Sequence, residues 1–543
     1  MLDLLFRGAT IVDGSGAPAC QADVGVSQGR IREVGRIKSS AKETVDCGGL
    51  ALMPGIVDVH THYDAQITWD PTLSPSVSLG VTTAILGNCG FGIAPCPARL
   101  RETVVRNLSV VEGMDLGALL EGTRWEFETF AEYLDALERV GPYANVGVLA
   151  QHSTIRTAVM GDEASSRKEP SPDELARMKA EVRAAMQAGA AGFASSFSPN
   201  HSGWGGRPMP STIAGDDELK ALVGALKEAG RGIFVMATGQ RGTPEYMEAI
   251  AADTGRPAFM VTVLTMYSKA RPDLAREYYE RCGAALARGH EVYIHSSCQP
   301  LSFDFTLREP YLLYSHDAFD RVKAAAPQAR AAIYKEKHFR DRLRFNLRNP
   351  KPGILFHGDW SQIERDGVPV TQLAQDPLDY VFDLPLDTQL VAKLYQNDDA
   401  GVAPLLKHPA GLIALSDAGA HLIYFCDAGF GLHFLAHWVR ERGVFTLEEG
   451  VRRLTGDPAR KYRIPKRGLI ASGYAADMLL FDPQTVGLSQ LQKSADLPGG
   501  GTRMIRTPRG VHGVWVNGLQ VHDGAKYVRR QCGPGEVIRT FDP

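Results

Sequence analysis

Two histidines separated by one residue form the strongest candidate for chemistry in this chain. His60 and His62 follow an apolar run over residues 52–59. If that run is a strand, side chains two residues apart point to the same face, so both imidazoles can reach one metal ion at its end. Barrel enzymes keep their chemistry at the carboxyl ends of their strands. An isolated pair of this kind is about as often an accident of a loop as a metal site, so the other residues decide between the two.

Cys89 is the next candidate metal ligand. It lies in a Gly-Asn-Cys-Gly turn that follows a second apolar segment. A thiolate is a strong zinc ligand, and the metal itself promotes loss of the thiol proton. The alternative is a small buried residue packed in a glycine-rich turn, which is common for a free cysteine. Cys89 taken alone favours the packing role, and only its combination with the histidine pair favours a metal site.

Asp417 is the candidate for proton transfer. It ends the segment Leu-Ile-Ala-Leu-Ser-Asp at residues 412–417. Metal-dependent hydrolases use a carboxylate at such a position to bind the ion and to take a proton from the attacking water. The alternative role of Asp417, or of Ser416 before it, is a helix N-cap. Together with the histidine pair, the pattern favours Asp417 as both a metal ligand and the catalytic acid–base group.

The segments that must position these residues alternate between strand and helix. Residues 172–182 and 216–226 have helical periodicity with acids in the first turn. Eight apolar segments are predicted as strands, at residues 55–60, 82–87, 145–151, 191–195, 232–237, 258–264, 291–296 and 411–417. This alternation predicts an α/β fold of the (β/α)8 TIM barrel type. The second choice is a doubly wound open sheet, but no glycine-rich phosphate turn follows the first strand.

Both ends of the chain have a different, β-rich texture. Residues 477–483 form an apolar strand closed by a proline, and residues 511–518 alternate and then turn at Asn-Gly. We therefore expect a small β-sandwich domain built from residues 1–54 and 465–543, around a barrel at 55–464. The stretch at about 301–397 exceeds an ordinary connection. It is predicted to form an inserted helical subdomain or a lid over the barrel mouth.

Composition limits the partners and the compartment. The 543 residues carry a formal net charge of −3, which gives no basic footprint for nucleic acid or for a membrane surface. The N-terminus lacks the pattern of a signal peptide, and no apolar stretch is long enough to span a bilayer. The eight cysteines are scattered without a C-x-x-C pair, which indicates reduced thiols in the cytoplasm. The extra domain and exposed helices are compatible with a homo-oligomer.

The motifs resemble those of the amidohydrolase superfamily, and within it the D-aminoacylase branch. The resemblance rests on His60-Thr61-His62, on the turn at Cys89 and on the Ser-Asp-Ala-Gly-Ala-His segment at residues 416–421, and flanking sequence agrees over most of the chain. It implies a metal-dependent hydrolase that uses a metal-activated water to cleave the amide bond of N-acyl amino acids, the D-configured ones included, or of related small amides. The alternatives are hydrolysis of a cyclic amide, imide or lactone on the same scaffold, and a metal-poor binding protein.

The chain departs from the family pattern at two positions. The resemblance implies one metal-ligand histidine at the end of strand five and another at the end of strand six. Here Ala237 stands at the first position and Val263 or Leu264 at the second, and none of these side chains can coordinate a metal. We therefore expect a single ion, Zn²⁺ or another divalent metal, at His60, His62 and Asp417, with Cys89 as a further ligand.

Other residues are candidates for additional roles at the barrel mouth. His152, His295 and His421 lie at or just after strand ends. For each we favour a structural role, because most histidines are neither metal-bound nor catalytic, and His295 is the first to test as a replacement ligand. The candidates for substrate binding are Tyr63, Asp64 and Arg207. Arg207 lies in a loop after strand four and is suited to meet a carboxylate, unless that loop is simply solvated.

Overall fold

The computed structural model describes residues 1–349, 356–421 and 427–542. Its chain divides into two compact units. The first unit contains Met1–Thr265, Arg276–Cys298 and Ala403–Pro543, and the second contains Met266–Ala275 and Gln299–Val402. Within the described ranges, no helix is both long enough and apolar enough to cross a membrane.

The first unit begins with a β-rich segment, as the sequence predicts. Strands β1–β5 cover Leu2–Ile11, Cys20–Ser27, Arg30–Gly35, Ala41–Asp46 and Ala51–Pro54. Strand β1 pairs with β2 in antiparallel fashion and with β4 and β5 in parallel fashion. Its partner changes from β4 to β5 along its length, so β1 lies at the centre of this sheet.

Seven parallel strands follow. Strands β6–β12 cover Ile56–Asp58, Val81–Leu86, Asn145–Gln151, Gly192–Ser196, Ile233–Ala237, Ala258–Val261 and Val292–Ser296. Helices α1–α8 cover Arg101–Val111, Leu116–Gly122, Phe130–Val140, His152–Met160, Pro172–Ala188, Asp216–Ala229, Pro244–Thr254 and Pro272–Ala287. Every residue of these seven strands is buried. Such continuously buried strands are typical of a parallel sheet covered on both faces.

The second unit has its own sheet and core. Its strands β13–β16 cover Leu301–Phe305, Ile363–Arg365, Val368–Pro369 and Leu390–Tyr395, and pair in antiparallel fashion in the order β13-β16-β14-β15. Helices α9–α13 cover Asp320–Ala324, Arg330–Tyr334, Lys337–Arg348, Val370–Leu373 and Pro377–Asp383. The aromatic rings of Phe319, Tyr334, Phe339 and Phe382 lie at the centre of its apolar cluster. The insertion is therefore mixed α/β rather than helical, and its predicted role as a lid stays a prediction.

The eighth barrel strand returns after the second unit. Helix α14 covers Asp399–Lys407 and strand β17 covers Gly411–Ile413. The parallel strands follow the order β17-β12-β11-β10-β9-β8-β7-β6, and a parallel bridge between Thr61 and Ala418 joins the segments that follow the first and the last strand. This curled eight-stranded sheet confirms the predicted (β/α)8 class. The alternative prediction, an open doubly wound sheet, is wrong, because the first and last strands of an open sheet do not meet, whereas here the segments that follow them are bridged.

The C-terminal strands complete the β domain. Helices α15–α17 cover Phe430–His433, Leu447–Leu454 and Gly456–Lys461, and strands β18–β24 cover Met478–Phe481, Gly487–Leu488, Gln492–Ser494, Arg503–Ile505, Pro508–Arg509, Val511–Val516 and Leu519–His522. The sheet order β24-β23-β18-β5-β1-β2-β3 joins both ends of the chain. The predicted Asn-Gly hairpin is present, with φ of 46° at Asn517 and 77° at Gly518, as a type I′ turn requires.

Three barrel strands end at least two residues earlier than the sequence predicts. The first strand ends at Asp58, so the histidine pair follows it rather than terminating it. The sixth ends at Val261 and is followed by a 3-10 turn at Val263–Thr265. The eighth ends at Ile413, because positive φ angles at Leu415 (68°) and Asp417 (47°) take the chain out of the extended conformation. His60 and His62 lie in the irregular segment after the first strand, and Asp417 lies in the one after the eighth.

Candidate metal centre

Backbone hydrogen bonds on both sides fix the histidine pair. The His62 N–H donates to the Ala418 carbonyl at 2.7 Å, and the Thr61 N–H donates to the Ile85 carbonyl at 3.2 Å. The Ser416 hydroxyl donates to the His60 carbonyl at 3.0 Å. A side chain at Gly419 would collide with the His62 carbonyl group, 2.7 Å from an added Cβ. The segment after β17 therefore packs directly against the histidine segment and brings Asp417 to it.

The predicted metal-binding residues converge on one point. Asp417 Oδ1 lies 3.2 Å from His60 Nε2 and 3.5 Å from His62 Nε2. Cys89, in a 3-10 turn at Asn88–Gly90 after β7, places its Sγ 3.7 Å from His60 Nε2. Ligand atoms of His60, His62 and Cys89 all lie within 4.8 Å of one another, and in the described parts of the chain this is the one such group of three or more. The structure brings together all four residues of the expected set.

Each of the two histidines has a separate partner for its other ring nitrogen. His60 Nδ1 lies 3.0 Å from Nδ1 of His295, and His62 Nδ1 lies 3.3 Å from Oε1 of Glu112. Metal-ligating histidines commonly donate their second ring N–H to such a partner, which fixes the tautomer and the ring orientation. Both Nε2 atoms are thereby directed at the common point, which is the arrangement a metal site needs.

Glu112 was not predicted from the sequence. It follows the last residue of α1 and is 4% exposed, although it carries a carboxylate. Its Oε2 lies 4.0 Å from His421 Nε2, and its carbonyl accepts a hydrogen bond from the His421 N–H. In the sequence, Glu112 is an acidic residue directly after a segment with apolar residues at helical spacing. This pattern alone does not identify His62 as its partner.

The electrostatics of the site show what a cation would replace. Burial lowers the pKa of His60, but the hydrogen bond to Asp417 and the neighbouring Cys89 outweigh it and raise that pKa to about 9. Burial also opposes the charged form of His62, yet Glu112 and Asp417 raise its pKa well above the usual value. The two imidazoles hold the pKa of Asp417 well below its usual range against its burial. Protons on the imidazoles thus balance the carboxylates, and a divalent cation would take their place.

His152, His295 and His421 lie in three different environments. His152 begins α4 and is bonded at both ring nitrogens, to Ser195 Oγ at 2.8 Å and to Glu218 Oε1 at 2.9 Å. His295 contacts His60 from behind, and burial together with His60 lowers the pKa of His295 well below its usual value. His421 Nε2 lies 4.0 Å from Asp417 Oδ2. His421 therefore borders the acid, His295 supports a ligand, and His152 belongs to a buried ionic network.

The three residues predicted to bind substrate lie in different surroundings. The Tyr63 hydroxyl lies 2.7 Å from Ser76 Oγ, and Asp64 accepts hydrogen bonds from the Gly87 N–H and from Gln151 Nε2. Both are buried, so their contacts favour a structural role. Arg207 is exposed on the loop after β9, and the predicted role of its guanidinium stays a prediction.

His201, in the same loop as Arg207, lies close to the candidate ligands. Its Nδ1 is 2.7 Å from Ser196 Oγ, and its ring packs against Phe91 with centroids 5.1 Å apart. Burial and the positive charges of His421 and His62 lower the pKa of His201 to about 3. This neutral imidazole borders the candidate ligands without joining them.

The family model for the Amidohydrolase family matches residues 43–334. The chain belongs to the amidohydrolase family. Its relatives place it in the D-aminoacylase branch of that superfamily, as the motifs predict. An N-acyl-D-aspartate deacylase from Alcaligenes xylosoxydans xylosoxydans is 28% identical over 99% of this chain and 95% of the relative. The D-aminoacylase of the same organism is 29% identical over 98% of this chain and 96% of the relative.

Solved structures agree with these relatives. The crystal structure of an N-acyl-D-glutamate deacylase from Bordetella bronchiseptica, complexed with zinc and a phosphonate inhibitor, superposes with a TM-score of 0.66 at 25% identity, over 99% of this chain and 100% of that chain. A D-aminoacylase described for its binuclear metal center, with one-metal activation and second-metal attenuation, superposes with a TM-score of 0.67 at 25% identity, over 99% of this chain and 100% of that one.

Proposed function

We propose that this chain is a metal-dependent hydrolase that cleaves the amide bond of N-acyl-D-amino acids. The observation that carries the proposal is the convergence of His60 Nε2, His62 Nε2 and Asp417 Oδ1. The relatives support the substrate class, since they are an N-acyl-D-aspartate deacylase, an N-acyl-D-glutamate deacylase and a D-aminoacylase.

The donor set suits a single zinc ion. Two imidazoles and a carboxylate, with the Cys89 thiol beside them, are the donors that zinc prefers, and three protein ligands leave a position open. When bound, zinc or another divalent cation polarises a carbonyl oxygen and acidifies a water molecule. We propose one ion because Ala237 ends β10, Val263 and Leu264 lie in the turn after β11, and none of these side chains can coordinate. One-metal activation of the related D-aminoacylase supports this.

The two carboxylate oxygens of Asp417 have different surroundings. Oδ1 faces the imidazoles of His60 and His62, whereas Oδ2 lies 4.0 Å from His421 Nε2. Oδ2 is therefore the atom that takes a proton from the attacking water and returns it to the leaving amine. The two imidazoles hold Oδ1 in place and so orient the base.

Arg207 is the proposed contact for the substrate carboxylate. Its guanidinium is exposed on the loop that also carries His201, and a guanidinium binds a carboxylate through two parallel hydrogen bonds. Replacing Arg207 by Met should raise KM for N-acyl amino acids while kcat changes little. An unchanged KM would remove Arg207 from the substrate site.

Metal analysis and a substrate panel test the proposed function together. Purified wild-type protein should bind one equivalent of zinc, and His60→Ala and Asp417→Asn should bind it more weakly. A matched control is His316→Asn, which alters a buried histidine of the second unit whose Nε2 bonds the Phe356 carbonyl. Activity should appear on N-acyl-D-amino acids and depend on added zinc.

Two outcomes of that test would contradict the proposal. A wild-type protein that binds no stoichiometric metal, and whose activity ignores added zinc, would be the metal-poor binding protein that the two missing histidines suggest. A zinc-dependent protein that hydrolyses cyclic amides, imides or lactones but no N-acyl amino acid would keep the scaffold and the metal and overturn the substrate class.

The remaining sequence predictions accompany this function as proposals. We propose that residues 1–54 and 465–543 form the β domain and that residues 55–464 form the barrel, with an insertion at about 301–397. The sheet that joins both chain ends supports this division. All seven cysteines that the structure describes are free, which supports a cytoplasmic location. Limited proteolysis should cut first at the borders of the insertion, and light scattering would test the predicted homo-oligomer.

A further inference from the structure

His295 makes two hydrogen-bonded contacts, neither of which faces the common point of the candidate ligands. It lies in β12 and is 1% exposed. Its Nδ1 is 3.0 Å from His60 Nδ1, and its Nε2 is 2.7 Å from the Tyr462 hydroxyl. Tyr462 directly follows α17 and is completely buried. The contacts form a chain of three groups that leads from a candidate ligand into the core.

This geometry excludes His295 as a replacement for a lost ligand. Both of its ring nitrogens are engaged, and it meets His60 on the Nδ1 side, whereas Asp417 and Cys89 lie on the Nε2 side. Its ring is also enclosed by aromatic neighbours, with centroids 5.6 Å from Phe259 and 6.0 Å from Tyr462. A ring held this way has little freedom to rotate toward the centre.

A metal ion bound to Nε2 of His60 would fix the direction of each hydrogen bond in this chain. Coordination through Nε2 requires the remaining proton of His60 to be on Nδ1. That N–H then donates to Nδ1 of His295, which places the proton of His295 on its Nε2. The Nε2–H in turn donates to the oxygen of Tyr462. Both ring nitrogens of His295 then have a partner, Nδ1 as the acceptor and Nε2 as the donor.

We propose that His295, itself fixed by Tyr462, is a positioning residue that holds His60 in the Nδ1–H tautomer and directs its Nε2 at the metal. The proposal rests on the proposed function, in which a cation binds His60 and His62. It assigns no contact between His295 and substrate or metal. Outer partners of this kind contribute about 10- to 100-fold to metal affinity.

Two substitutions at one position separate orientation from packing. His295→Leu fills the site but offers no acceptor to His60, so the zinc affinity should fall by about 10- to 100-fold. His295→Asn keeps an acceptor oxygen near the position of Nδ1 and should recover most of the affinity. Tyr462→Phe, which removes only the hydroxyl, should cause a smaller loss. Zinc dissociation constants come from competition with a chromophoric chelator.

The tautomer itself is read by nitrogen-15 NMR of the zinc-loaded protein. The His60 signals should report a protonated Nδ1 in wild type and in His295→Asn, and should change in His295→Leu. His316→Leu is the matched control, because it removes the hydrogen bond between a buried histidine of the second unit and the Phe356 carbonyl. It should lower the unfolding temperature without changing the zinc dissociation constant.

The outcomes distinguish this inference from the proposed function. If the wild type binds no zinc, or His60→Ala binds it as well as wild type, the proposed function fails first. If the wild type binds zinc at His60 but His295→Leu has the same dissociation constant and the same His60 signals, the positioning role is overturned. If His295→Leu does not fold, Tyr462→Phe tests the positioning role instead. A zinc affinity of Tyr462→Phe equal to that of the wild type would overturn the role of the hydrogen-bond chain.

Discussion

Oε1 of Glu112 lies 3.3 Å from Nδ1 of His62, and both side chains are almost completely buried. No sequence motif links the two residues, because they are 50 positions apart in the chain. It gives His62 the orientation that His295 gives His60, with a carboxylate in place of an imidazole. Both histidines of the motif are therefore held from the side opposite the candidate metal position.

Removing the Glu112 carboxylate should weaken zinc binding without removing a ligand. Glu112→Leu leaves His62 Nδ1 without an acceptor, and the zinc affinity should fall by about 10- to 100-fold. Glu112→Gln keeps an acceptor oxygen but loses the charge, so its loss should be smaller. Chelator competition measures both, and equal affinities for all three proteins would show that Glu112 does not orient His62.

Asp417 should matter more for turnover than for substrate binding. Replacing it by Asn keeps the shape and removes the proton acceptor, so kcat on an N-acyl-D-amino acid should fall by about 10²- to 10⁴-fold. The comparison is made at saturating zinc, because the same change also weakens the metal site. A kcat within about threefold of wild type would assign the base to another residue.

Glu218 should be needed for stability rather than for metal binding. Its carboxylate pairs with Arg156 and with His152, and side chains of all three are at most 1% exposed. Glu218→Gln leaves a buried guanidinium without its counter-charge, which should cost about 3–5 kcal/mol of unfolding free energy.

The matched control for Glu218 is an exposed ion pair. Glu228 meets Arg183 at the surface, with side chains 44% and 45% exposed, so Glu228→Gln should cost no more than about 1 kcal/mol. Denaturant unfolding at saturating zinc measures both variants. If both variants lose the same unfolding free energy, the buried contacts of Glu218 with Arg156 and His152 do not stabilise the fold more than an exposed ion pair does.

Because of Lys461, the free energy of unfolding should increase with pH in the alkaline range. Burial lowers its pKa to about 8 from the ordinary 10.5, although Nζ still donates to the Gly411 carbonyl at 3.2 Å. Because the unfolded chain binds this proton more tightly than the folded one, stability rises with pH between about 8 and 10.5. Relative to Lys461→Met, the wild type should gain about 3 kcal/mol over that range. A difference that stays constant with pH would contradict the lowered pKa.

The sequence was informative where structure is set locally. Strand β8 has the predicted bounds, Asn145–Gln151, because a continuous apolar run bounded by turns is decided by its own residues. The predicted helices at 172–182 and 216–226 exist and are longer, since α5 and α6 continue to the glycines at 189 and 230. The convergence of His60, His62, Cys89 and Asp417 also followed, because the carboxyl ends of barrel strands share one mouth.

The sequence was uninformative where distant segments meet. The contact between His60 and His295 spans 235 positions, and nothing near either residue marks it. The early end of the eighth strand depends on positive φ angles at Leu415 and Asp417. A leucine gives no sign of that conformation, and an aspartate adopts it only occasionally. The buried contacts of Tyr63 with Ser76 and of Asp64 with Gln151 likewise join positions that no local pattern connects.

X-ray absorption spectroscopy of the protein loaded with one equivalent of zinc tests whether His60, His62 and Asp417 bind one ion. We expect a four-coordinate shell with two imidazole nitrogens at about 2.0–2.1 Å, a carboxylate oxygen, and one sulfur at about 2.3 Å if Cys89 joins the shell. Cys89→Ser should remove only the sulfur, and His60→Ala should remove an imidazole. No zinc binding, or a shell of water and carboxylate oxygens with no imidazole, would rule out a zinc site at His60 and His62.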